Sequence, residues 1–170
     1  MRVVKFPGPM LALLLAVVSL CPLSAPARAA APTWNTPVGL WSPIDGATGK
    51  PVGLIAIYED HGLYYGRIEP FSPHDNRAAR CTECTGSRHD QPMIGLVLMR
   101  HLRYHNGRYV GGDILDPRNG HVFDCELRLT DGGRKLVVRG YLGIPLLGRS
   151  LTWQRMQGTP GVHVWPVSDS

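Results

Sequence analysis

The fold is decided by Ile94–Arg139, which reads IGLVLMRHLRYHNGRYVGGDILDPRNGHVFDCELRLTDGGRKLVVR. Three turn signals divide it: Asn106-Gly107, Asp116 to Gly120, and Thr130 to Gly133. Asn-Gly is a strong two-residue hairpin turn, because both residues accept positive φ. Between the turns lie four short segments: Ile94–Arg103, Arg108–Leu115, Val122–Leu129 and Lys135–Arg139. Val122–Leu129 alternates most clearly, with Phe123, Cys125, Leu127 and Leu129 on one face and Asp124, Glu126 and Arg128 on the other. A period of two sends successive side chains to opposite faces of a strand, so such a segment has one face for a core and one for water.

The same rhythm extends outward. Upstream, Val38–Trp41 precedes the turn-rich DGATGK, and Val52–Tyr58, Glu59-Asp60-His61-Gly62 and Leu63–Glu69 read as a hairpin. Downstream, the loop GYLGIPLLG (140–148) leads to Arg149–Met156. Residues 70–92 break the pattern with Pro70, Pro73, Pro92, many charges and a Cys pair. The count is eight strands and no helix, joined mostly by short connections, so sequence neighbours pair antiparallel. A sandwich or a closed up-and-down barrel satisfies this; closure alone removes the exposed edges, and it is the expected fold. The expectation is therefore an all-β, eight-stranded antiparallel barrel over residues 38–156, preceded by a short extension (30–37) and followed by a loose tail (157–170). A barrel of this size is either filled by its own side chains or holds one small ligand.

The first 29 residues belong to no strand. Arg2 and Lys5 make a basic start, Leu11–Leu20 is apolar, and Ala27-Arg28-Ala29 offers a small-residue cleavage site. This is the pattern of a secretory signal peptide, with the cut expected after Ala29. Ten apolar residues are too few to span a bilayer as a helix. Leu20 stands before Cys21 where a lipoprotein signal requires a small residue. Removal of Arg2, Lys5 and Arg28 leaves 15 basic against 13 acidic residues, a net charge of +2 instead of +5. No run of five basic residues remains, which argues against a nucleic-acid partner. The remaining 141 residues suit one soluble domain without a transmembrane segment, periplasmic or secreted.

Several motifs resemble one family in order and spacing: GLWSPIDGATGK, GLYYGRI, DQPMIGL, GGDILDPRNG, VRGYLGIPLLGR and TWQR. They are similar to the bacterial family called domain of unknown function 2147, over about residues 38 to 156. The resemblance implies an exported protein with a small lipocalin-like β-barrel. It brings no established activity and no catalytic residues.

The candidate residues fall into two sets. Cys81 and Cys84, in CTEC, are expected to form a disulfide in an oxidising compartment. The other readings are half a zinc site with His74, His89 or Asp90, a redox pair, or pairing of one of them with Cys125. A zinc site needs four ligands, and no second Cys-x-x-Cys is present. Cys125 alternates with Phe123 and Leu127 and is expected to point inward. The second set gathers Asp45, Asp116, Arg139, Arg149 and Arg155 with Trp41, Tyr141 and Trp153. Closing the barrel sets Trp41 of the first strand beside Arg155 of the last, where an Arg stacked on an indole would seal one end. Alternatively Arg139 or Arg149 holds a carboxylate or phosphate at the barrel mouth. Leu142, Ile144, Leu146 and Leu147 make GYLGIPLLG an apolar loop: a lid, a partner patch or a plug.

Three functions compete. The first is an exported barrel that binds a small, partly apolar ligand. The second is a structural or interaction module of the cell envelope with a protein partner and no small ligand. The third is an enzyme, and no Ser-His-Asp arrangement, paired-carboxylate motif or complete metal motif supports it. No cofactor, metal or catalytic residue is expected, and the sequence leaves the oligomeric state open.

Overall fold

The computed structural model describes residues 34–72 and 74–156; the expected signal peptide (1–29) and tail (157–170) lie outside the described residues. Eight strands follow in order: β1 (Gly39–Pro43), β2 (Leu54–Asp60), β3 (Leu63–Glu69), β4 (Val97–His105), β5 (Arg108–Asp116), β6 (His121–Thr130), β7 (Lys135–Tyr141) and β8 (Arg149–Arg155). Each pairs antiparallel with the next, and β8 returns to β1 to close the barrel. Three short 3-10 turns, Gly86–Arg88, Asp131–Gly133 and Pro145–Leu147, are the only helical pieces among the described residues.

Local chemistry explains the hairpins. His61-Gly62 and Asn106-Gly107 close two-residue loops with both φ angles positive, 49° and 79° in the first and 46° and 81° in the second. Such turns match the twist of the strands they join. Several boundaries differ from the sequence reading by a few residues, two of them with a clear local cause. β4 begins at Val97 instead of Ile94, because Gly95 (φ 93°) and the Leu96 N–H to Met93 carbonyl bond turn the chain first. β7 runs on to Tyr141, because Gly140 and Tyr141 still pair with Cys125 and Asp124. Register slips beside His101 (φ 62°) and Gly111 (φ 75°) are bulges, which bend the sheet toward closure.

Alternation is apolar inside and polar outside, the reverse of a membrane-spanning barrel. Trp41, Ile57, Met99, Leu102, Cys125, Leu127 and Leu136 retain no solvent exposure, and Trp153 retains 3 %. A residue with no accessible surface borders no water-sized void, so the central layers are filled. Gly66 and Gly112 make room for this packing: a Cβ at either would overlap Met99 or Leu102. The choice left open by strand counting, hollow or filled, is decided toward filled at these levels.

The long β3–β4 connection lies on the outer wall. Leu98 and Leu115 sit on the pleat opposite Met99 and Ile114, yet both are buried in the same apolar cluster as Cys81 and Cys84. Arg88 reaches Asp113 of β5 at 3.1 Å, and the Cys81 sulfur lies 3.5 Å from the Pro117 carbonyl oxygen. Glu83 packs so closely on Gly120 that a side chain there would overlap its carbonyl. A segment whose pattern is broken by three Pro and two Cys is thus held by its contacts to the barrel wall.

Candidate functional site

The two ends of the barrel differ. At the end formed by the β2–β3, β4–β5 and β6–β7 turns, Arg155 lies between two indoles, 4.2 Å from the Trp41 ring centre and 4.9 Å from that of Trp34. Its guanidinium donates to the carbonyls of Gly133 (2.8 Å), Val38 (2.9 Å) and Thr36 (2.6 Å). The Trp41 indole N–H donates to the Pro37 carbonyl at 2.6 Å. A planar, delocalised cation satisfies both demands at once: its edge serves carbonyls and its face meets π-systems. Burial lowers the Arg155 pKa from its ordinary value. Gly39 (φ 139°) leaves room for it, since a Cβ would stand 2.7 Å from the Arg155 Nη1 atom. Residues 34–37, the described part of the extension read as 30–37, lie against this end through Trp34 and Thr36.

The opposite end is open. On β8, pairing with β7 puts Arg149 opposite Gly140, Leu151 opposite Val138 and Trp153 opposite Leu136. Directly paired residues share a face, so Arg149 and Leu151 stand on the interior face. Leu151 is nevertheless 50 % exposed, while its partner Val138 is buried. The cause is the short β1: it ends at Pro43, opposite Trp153, and leaves Leu151 without a neighbour on that side. Half-buried Ile114 and Phe123 pair across β5 and β6 on the same interior face, and an atom added at Gly140 would meet both at 3.6 Å. These residues form a shallow apolar cup above the filled layers. Arg149 stands at its rim, exposed, with no hydrogen bond or ion pair among the described residues.

The loop after β7 forms a lip over this mouth. Leu142, Ile144, Leu146 and Leu147 are 69, 55, 84 and 77 % exposed. Arg139, on the outer wall, holds the loop: its side chain donates to the carbonyls of Pro145 (2.8 Å) and Leu146 (3.2 Å) and to the Ser150 hydroxyl (2.9 Å). Beneath the lip, outside the barrel, lies an open groove of about 400 Å³ between Arg108, Glu126, Arg128, Val137 and Leu146. Arg108 and Glu126 neutralise one another there at 3.3 Å.

The charged residues singled out in the sequence do not gather. Arg149 and Arg155 are six positions apart on one strand, a separation of about 20 Å at the rise of a β-strand, and so occupy opposite ends. Asp45 turns the β1–β2 loop, accepting from the Thr48 amide (2.7 Å) and hydroxyl (2.7 Å), and its carboxyl is held below its ordinary pKa by the Thr48 side chain first. Asp116 does the same in the β5–β6 turn with Arg118, whose side chain lowers its pKa. Tyr141 points outward beside Asp124. Trp153 is buried beneath Leu151, and its indole N–H has no acceptor among the described residues.

Cys81 and Cys84 are paired as a disulfide with Cα atoms 5.3 Å apart. His89 turns its Nδ1 toward the Cys84 carbonyl oxygen, 2.8 Å away. Among the described residues no three His, Cys, Asp or Glu side chains group closely enough to hold a metal. Cys125 is free and buried, and burial drives its thiol pKa well up. The apolar cup was missed in the sequence. Its one trace there is the alternation Arg149, Leu151, Trp153, Arg155, which aligns three candidates and Leu151 on one face without telling which end is open.

A closed eight-stranded antiparallel barrel with this filled interior is a lipocalin-like fold. The chain belongs to the family described as uncharacterized protein conserved in bacteria, DUF2147, whose model matches residues 39–155. Among solved structures it is similar to protein HP1028 from Helicobacter pylori, described as belonging to the lipocalin family. That likeness has a TM-score of 0.61 and 16 % identity, and covers 71 % of this chain and 83 % of the other. At that identity it speaks for the fold alone. No curated protein matches the chain.

Proposed function

We propose that the chain is an exported barrel that binds a small, partly apolar, anionic ligand at its open mouth, above the filled layers. The observation that carries this reading is Leu151, an interior-face residue left half exposed beside Ile114 and Phe123. Arg149 supplies a cation at the rim with no internal partner to compete. Export is supported by the Cys81–Cys84 disulfide and by the signal-like first 29 residues. A medium-chain carboxylate such as decanoate is a suitable probe, with an apolar tail for the cup and a carboxylate for Arg149. Titrated against isotope-labelled protein, it is expected to shift the amide signals of Phe123, Gly140 and Leu151. Decanol is expected to bind more weakly, and Arg149→Gln to erase the difference. Amide signals unmoved by either compound would end this reading.

The filled central layers favour a second reading, an envelope structural or interaction module with a protein partner and no small ligand. It predicts unmoved amides in the titration and one specific envelope protein recovered by cross-linking.

A further inference from the structure

We infer that the lip Leu142–Leu147 docks on a lipid bilayer bearing anionic headgroups, whether or not the mouth holds a ligand. The lip is aliphatic throughout, Leu-Gly-Ile-Pro-Leu-Leu, and its large side chains are 55 to 84 % exposed. It is not a loose segment. The Gly143 amide donates to Asp124 (3.3 Å), the Gly148 amide to the Pro145 carbonyl (3.0 Å), and Arg139 takes the carbonyls of Pro145 and Leu146. Much of the backbone is thus paired from within while the side chains are held outward. That combination suits an apolar medium, where unpaired amides are costly. A protein partner fits less well. Protein hot spots favour Trp, Tyr and Arg over Leu, and the lip has no side-chain donor or acceptor to fix a register. Charge chooses the kind of bilayer: Arg149 follows the lip directly, exposed and unpartnered, and matches an anionic headgroup.

The test must read the lip itself, because Leu11–Leu20 is also apolar. An environment-sensitive nitrobenzoxadiazole dye is attached to Leu146→Cys in one protein and to Tyr104→Cys, at the closed end, in another. Cys125 is buried, and Cys21 is replaced by Ser in both proteins, so neither competes for the label. Vesicles of phosphatidylcholine with phosphatidylglycerol are expected to blue-shift the dye at 146 and leave the dye at 104 unchanged. In the labelled protein, Leu142→Ser with Leu147→Ser is expected to weaken vesicle binding by about tenfold or more. Arg149→Glu is expected to remove the preference for phosphatidylglycerol. No shift at 146, or an equal shift at 104, overturns the proposal. So does a shift without vesicles that grows with protein concentration, which assigns the lip to a second copy of the chain. An equal response to phosphatidylcholine alone overturns the need for anionic headgroups.

Discussion

At the scale of single residues, Arg155 carries the most consequential contacts. It serves three carbonyls and two indoles, so its removal leaves three acceptors unpaired at once, two of them partly buried. Arg155→Met is expected to destabilise the barrel by roughly 2–4 kcal/mol, measured by urea unfolding. Arg155→Lys should restore little of it, because an ammonium lacks the planar fork. Cys125 makes a second prediction. Iodoacetamide at pH 8 should modify it only once the protein is unfolded, since burial keeps the thiol protonated and out of reach; intact mass before and after denaturation reads this. Its inward direction was legible in the alternation Phe123, Cys125, Leu127. The position of Arg149 was not, because alternation gives a face and never a height along the barrel.

At the scale of elements, the disulfide segment and the β-hairpins obey different rules. The hairpins were legible because each is local: a short turn, two residues of positive φ at His61-Gly62 and at Asn106-Gly107, between two strand-like runs. The segment 70–92 was legible only as an interruption, since its partners on β5 and the β5–β6 turn come later in the chain. Reducing Cys81–Cys84 opens a very small ring, so global stability is expected to fall by less than about 1 kcal/mol. Amide exchange across residues 79–93 should rise all the same, because the local turn loosens. Arg88→Met should act differently. It strands Asp113, 29 % exposed at the side chain, and is expected to cost about 1–3 kcal/mol by urea unfolding. Asp113→Asn in the same protein should recover part of that loss.

At the scale of the whole molecule, pH reports where the buried groups are. Burial raises the pKa of Tyr58, Tyr64 and Tyr141, and pushes Tyr109 to about 12. Cys125 is raised as well. A raised folded pKa means that the folded state holds its proton longer than the unfolded chain does. Its stabilisation is complete below the unfolded pKa, roughly 8.5 for Cys and 10 for Tyr, and is lost as pH climbs through the folded values. Asp45, Asp75, Asp116 and Asp131 are lowered, chiefly by hydrogen bonds from Thr48, Ser72, Arg118 and Arg134 respectively. Their contribution is present above the ordinary carboxylate pKa of roughly 4 and fades as pH falls through the folded values. Those carboxylates lie in solvent-facing turns and contribute little each. Thermal melting should therefore be flat near neutrality, soften mildly in acid, and fall more steeply above pH ~9. Tyr109→Phe should blunt the alkaline fall.

The sequence by itself determined the number of strands, their antiparallel order and, for Val122–Leu129, the face turned inward, because turn chemistry and a period of two act within ten residues. It also brought Trp41 and Arg155 together, since closing eight strands leaves the first and last as neighbours. Only the tertiary structure decided that the middle is filled, that the disulfide segment clads the outer wall, and that one end stays open around Leu151. Those outcomes depend on how far each strand extends beyond its neighbour and on the summed volume of side chains from all eight. Neither quantity is carried by any one segment of the chain.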